Sequence, residues 1–253
     1  VTARLVALLG TLCLSVALVL LWLARLSIPY DAYVSELGAP GMPTARAFEG
    51  VLLLIAVGGV LIAWAGRDVR ARARVFRWWR PSVSLGAASA FFLVDSQVTC
   101  TDGCPLPVGS TFTLQDFVHT SAAVLAFATA SWAIMQCASA VGHPALARFS
   151  FVAAIAVAAA STAGGLMSLF HFQAVWGSRF ELLATTIGLA WIVAFGASLA
   201  AGSALHEHKQ LVGQAHEPVD LILVSVHPAA LGLAADGDEA VVLLPDDERP
   251  LGA

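Results

Sequence analysis

Charge is scarce in this chain: of 253 residues only 12% are Asp, Glu, Lys or Arg, and 58% are hydrophobic, with a mean hydropathy of +0.82. Soluble domains carry about 25% charged residues, so the deficit excludes an ordinary soluble domain. Cysteine is scarce too, at four residues. Cys100 and Cys104 have no second pair nearby, so the sequence lacks the ligand count of a structural zinc site. No apolar run contains a His-x-x-x-His or Glu-x-x-His pair, the spacing that puts two metal ligands on one helix face. There is no evident inverted repeat and no broken helix with charge at mid-depth, the features from which carriers build a midplane site.

What the chain has in quantity is apolar sequence, gathered into six runs over residues 5–23, 47–66, 78–98, 117–140, 151–170 and 182–204. Such runs are near the ~20 residues that cross about 30 Å of hydrocarbon as helix, the only unclosed structure that satisfies its own backbone there. The expected fold is therefore all-α, a polytopic six-helix bundle. The third run is the weakest. The first reads as a span and not a cleaved signal, because it is longer than a signal core and no Ala-x-Ala-like site follows it before Arg25.

Basic residues are retained on the cytoplasmic side. With the N-terminus inside, Arg4, the arginines at 67, 70, 72, 74, 77 and 80, then Arg148, Lys209 and Arg249 are cytoplasmic. Only Arg25, Arg46 and Arg179 fall outside, so both termini are expected in the cytoplasm, in a bacterial plasma membrane. The arginine cluster, with Phe76, Trp78 and Trp79, is read as a topology signal with interfacial anchors, not as a nucleic-acid patch. Cys100 and Cys104 then lie in an outer loop, where an oxidising compartment favours a small disulfide. Residues 1–204 carry +3 and residues 205–253 carry −7, so the region after Ala204 is read as an acidic, largely disordered cytoplasmic tail, with short strands conceivable only near 221–226 and 241–244.

Ionisable residues within spans are costly and mark functional candidates. Asp95 lies 15 residues after Arg80, roughly 22 Å from the inner surface at 1.5 Å per residue. Asp116 and His119 open the fourth run, His171 ends the fifth, Arg179 and Glu181 precede the sixth, and Glu49 opens the second. Because the runs alternate in direction, these scattered residues share the outer level with the loop containing Ser35 and Glu36. Asp116 and His119 are three apart and so share a helix face. Asp95, His119 and His171 could hold zinc, with Asp116 or Glu36 as base, and two outer-level histidines could serve as haem axial ligands. The plainer reading is that these groups pair with one another or cap helix ends, as an acid at the head of the fourth run would.

The segment Tyr33-Val34-Ser35-Glu36-Leu37-Gly38-Ala39-Pro40-Gly41, Asp95, the outer cysteines, Asp116-x-x-His119 and Gly177-x-Arg179 together resemble the bacterial "domain of unknown function 998" family over about residues 5–204. The resemblance implies a six-span fold and a membrane location, and no reaction. A fainter likeness extends to Frag-type and DRAM-like six-span proteins, which carry a Ser-Asp-x-Gly element with a following Pro and Phe in the same loop and are linked to lipid remodelling. Read physically, Pro40 and Pro43 fix backbone angles while Gly38 and Gly41 permit tight turns, so the segment is a shaped cap that could set Glu36 over the bundle mouth, near Arg179 or a histidine.

The expectation is a site formed by Ser35, Glu36, Asp95, Asp116, His119, His171 and Arg179 that binds a lipid headgroup or small polar ligand. It has membrane lipids as partners and requires no cofactor. A metal-dependent hydrolase using Asp95, His119 and His171 is the alternative, and a small transporter ranks third.

Overall fold

The computed structural model of the protein describes residues 2–107, 109–140, 144–170, 173–215, 222–225 and 241–244. It divides into two compact units, Val1–Leu205 and His206–Ala253. Six helices follow one another: α1 (Thr2–Leu26), α2 (Ala45–Ala65), α3 (Pro81–Gln97), α4 (Leu114–Cys137), α5 (Pro144–Leu169) and α6 (Ala174–Ala215). Each of the six apolar runs overlaps one of them. The helices do not stop where hydrophobicity stops: α3 starts at Pro81, a residue favoured in a first turn because its missing N–H would be unpaired there, and α4 starts early because the Thr113 side chain caps it.

Among the described residues, five helices are long and apolar enough to cross a membrane: α1, α2, α4, α5 and the Ala174–Gly202 part of α6. The chain is a multi-pass membrane protein. Its outward faces fit that reading, since Leu5, Leu9, Leu12, Val19 and Leu23 of α1 are all exposed, a surface suited to lipid and costly in water. The exception is α3, with 17 residues. Its polarity has a structural cause, because Ser84, Ser89, Asp95 and Ser96 are buried and point into the bundle. At its start Ser84 donates to Gln136 Oε1 at 2.8 Å, while Gln136 Nε2 donates to the carbonyls of Phe76 and Trp79 at 3.2 and 2.8 Å. One amide thus ties the chain entering α3 to α4.

Consecutive helices from α1 to α5 pack side by side. Gly10 and Gly58 let α1 and α2 approach, since a Cβ on either would lie 3.0–3.1 Å from the other's carbonyl oxygen. Helix α6 packs against three neighbours. Trp191 donates to Ser150 of α5 at 2.9 Å, Phe195 lies against Gly66 at the end of α2, and a side chain at Gly196 would collide with Thr11 of α1 and Ile62 of α2. Leu14, Leu21, Ile62, Ile134, Trp191 and Phe195 form the centre of the core.

In the second unit, β1 (Ile222–Ser225) pairs antiparallel with β2 (Val241–Leu244), Ile222 opposite Leu244. His171, between α5 and α6, lies outside the described residues, as does the acidic tail beyond Ala215 apart from these two strands.

Candidate functional site

The loop between α1 and α2 is shaped in part by contacts its own sequence supplies. Ser35–Gly38 forms a 3-10 turn. Glu36 Oε2 accepts the Tyr33 N–H at 3.1 Å, Leu37 is fully buried, and Thr44 donates to the Leu37 carbonyl at 2.8 Å. Gly38 sits under Phe48, whose ring carbon Cδ1 would lie 2.8 Å from any Cβ there. Burial raises the Glu36 carboxyl above its ordinary range, and the Tyr33 N–H partly offsets this. The expectation that Glu36 meets Arg179 or a histidine is not what the structure shows: its carboxylate closes its own turn.

Arg179 is placed elsewhere as well. Its exposed guanidinium donates to Asp31 Oδ2 at 3.1 Å, and Arg25 donates to Asp31 Oδ1 at 2.5 Å. Two residues on, Glu181 faces the other way, because neighbours two apart on a helix lie roughly 200° apart. Glu181 Oε2 accepts the Val34 N–H at 2.9 Å. Gly177, one turn before Glu181, leaves room for Tyr33, whose hydroxyl would lie 2.5 Å from a Cβ. The Gly-x-Arg element therefore docks the first loop onto α6.

The α3–α4 connection supplies the other wall. Asp116 is fully buried and fully engaged, accepting from Thr101 N at 2.7 Å, Thr101 Oγ1 at 2.8 Å and Thr113 Oγ1 at 2.5 Å. Thr113 accepts the Asp116 N–H in return at 3.0 Å, so this acid sits at the third helical position behind a threonine cap, a reciprocal arrangement. Cys100 and Cys104 face each other with Cα atoms 5.1 Å apart, inside the usual disulfide range. His119, on the same face as Asp116, has Nδ1 2.9 Å from the Val98 carbonyl. A carbonyl only accepts, so Nδ1 carries the proton and Nε2 keeps a lone pair.

That bond leaves Asp95 short of a partner. Its Oδ1 lies 3.4 Å from His119 Nδ1, yet the proton there is directed to Val98, and Oδ1 is buried without a hydrogen bond. Asp95, His119, Glu181 and Ser35 line a cavity of about 50 Å³ walled by Leu21, Phe48, Leu52, Phe92 and Phe127, room for a few water molecules or a small polar group.

Of the expected site residues, Ser35, Asp95 and His119 line this cavity, while Glu36, Asp116 and Arg179 frame it through bonds of their own. Glu181 is the member that sequence reasoning left out, although its position on the same level was the available signal. Cys100, Cys104 and His119 offer ligand atoms within 4.8 Å of one another. As thiolates with an imidazole they would suit zinc, and as a disulfide they would not.

No curated protein and no solved structure matches the chain. The loop, the cap at α4 and the Gly-x-Arg element all lie within residues 6–198, the stretch that matches the family described as "Protein of unknown function (DUF998)", and the chain belongs to that family.

Proposed function

We propose that the end of the bundle carrying the 31–44 loop faces away from the cytoplasm and binds a lipid headgroup or small polar ligand in the cavity lined by Asp95, His119 and Glu181. The observation that carries this reading is the buried Asp95 Oδ1 with no hydrogen-bond partner. Buried polar atoms are almost always paired, and Asp95 is among the residues that line the cavity, so a small donor bound there is the partner this acceptor lacks. The proposal includes α3 as a sixth span, both termini in the cytoplasm of a bacterial plasma membrane, and a Cys100–Cys104 disulfide in the outer loop. Lipids are the partners, and no cofactor is needed.

Native mass spectrometry of the protein in nanodiscs tests it. A retained small molecule is expected with the natural chain and is lost in Asp95→Asn and His119→Ala. A wild-type spectrum without adduct, or equal retention in both variants, overturns the reading.

A metal-dependent hydrolase is the second reading, favoured by the convergence of Cys100, Cys104 and His119. Stoichiometric zinc, iron or manganese in protein purified without chelator would support it, and trace metal would remove it.

A further inference from the structure

The end of the bundle opposite the 31–44 loop carries charge of one sign. Between Gly66 and Arg80 the chain has six arginines and one acid, Asp68, and all six arginines are exposed. Among the described residues, the one ion pair they make is Arg67 with Asp68, at 4.0 Å and with the Asp68 side chain 85% exposed.

A topology signal needs only a count of arginines, and a loose loop would serve. This loop is fixed instead. The Arg72 N–H donates to the Ser139 carbonyl at 2.8 Å, Ala71 bridges Ala140, Trp79 Nε1 donates to Ser84 Oγ at 2.8 Å, and Val69 and Ala71 are buried. With the Gln136 amide on the carbonyls of Phe76 and Trp79, the backbone that carries the guanidiniums is held in both halves of the loop, so little ordering is left for a partner to impose.

Two of the arginines stand where helix and loop meet. Helix α2 has 21 residues, about 31 Å at 1.5 Å per residue, which matches a ~30 Å hydrocarbon core and puts its last turn at the headgroup level. There the Arg67 guanidinium lies over the Trp64 ring, 4.3 Å from its centroid, and Arg80 Nη1 donates to the Arg67 carbonyl at 3.0 Å. Arg67 Nη1 donates to the Trp64 carbonyl at 3.1 Å. Each guanidinium thus spends one of its five N–H donors on a carbonyl and keeps others for an acceptor. The same face of α2 continues away from the loop as Trp64, Val60 and Val57, spaced four and three apart and all exposed.

Arginines at the headgroup level, continuous with an exposed apolar stripe, suit a ligand that is anionic at one end and hydrocarbon at the other. Nucleic acid or free phosphate would use the arginines and leave the stripe bare. A zwitterionic headgroup would bring its own cation into the surplus of arginines. We propose that Arg67, stacked on Trp64, and Arg80 hold the phosphate of an anionic phospholipid whose acyl chain lies along Val60 and Val57. A guanidinium binds phosphate through two parallel N–H bonds while stacking on an aromatic ring, which an ammonium cannot do. This site lies at the other end of the bundle from the Asp95 cavity, and neither reading depends on the other.

The test is native mass spectrometry of the detergent-purified full chain titrated with phosphatidylglycerol, phosphatidylcholine and glycerol phosphate, with individual binding events resolved. The first phosphatidylglycerol is expected to bind at least about tenfold more tightly than phosphatidylcholine. Arg67→Lys combined with Arg80→Lys keeps the charge, and with it the topology signal, yet should cost about tenfold in phosphatidylglycerol affinity. The control pair Arg74→Lys and Arg77→Lys should leave that affinity unchanged. Trp64→Ala, at an exposed position, should weaken phosphatidylglycerol independently. Equal affinity for the two phospholipids overturns the proposal, as does an equal loss in the two lysine pairs, which would mean attraction to the loop as a whole. Indifference to Trp64→Ala, glycerol phosphate binding as tightly as phosphatidylglycerol, or a dimer whose formation excludes the lipid would each overturn the seat on α2.

Discussion

Gly38 and Phe48 show how much of the motif is architecture. The glycine is required because the phenyl ring occupies the space a side chain would take, and the ring is buried because it seals the loop against the core. Gly177 stands in the same relation to Tyr33. The contact predicts that Gly38→Ala destabilises the protein by about 1–3 kcal/mol, the usual range for forcing a methyl into a packed site. Adding Phe48→Leu should restore part of the loss, because the two positions share one contact and their effects are not additive. Thermal unfolding of the single and double variants in the same detergent checks this, and strict additivity would mean that the ring is not the obstacle. At this scale the sequence was legible in part: it announced a shaped loop, but a glycine conserving space looks identical in sequence to one that permits a turn.

Helix ends account for the next level. Asp116 was a site candidate by its position three residues before His119, yet three donors saturate its carboxylate. It joins the cysteine loop to the head of α4, and His119, one turn on, is held by Val98 from the end of α3. Asp116→Asn keeps the shape but turns one acceptor oxygen into a donor facing donors. A cost of about 1–3 kcal/mol follows from leaving such buried groups unpaired, measurable as a lower melting temperature. Since His119 depends on the same corner, retention of the small ligand in native mass spectrometry should weaken in parallel, whereas a loss of stability with unchanged retention would separate the corner from the site. Arg179 and Glu181 carry the same lesson on α6: depth along a helix is readable from residue counts, but the side it presents is set by packing.

For the whole molecule the decisive element is α3, the shortest of the six described helices and the one not among the five long and apolar enough to cross a membrane. Its serines and Asp95 are buried against neighbours, so its modest hydropathy reflects an inward polar face. If α3 spans, an alkaline phosphatase reporter fused after Asp102 is exported and active, and one fused after Arg74 is inactive. The reverse pattern, or equal activity at both points, would overturn the orientation and with it the outward-facing site.

Local composition determined the helices, the membrane setting and the family of this protein, because hydrophobic run length and cap residues act over a few neighbouring positions. It also determined the level at which the ionisable side chains gather, because helix rise converts residue number into depth. Only the tertiary structure decided which of them meet. Asp95, His119 and Glu181 share a cavity, while Glu36, Asp116 and Arg179 are spent on turn, cap and ion pair, since rotation about each helix axis is set by the packing of all six and by which backbone donors the loops bring within reach.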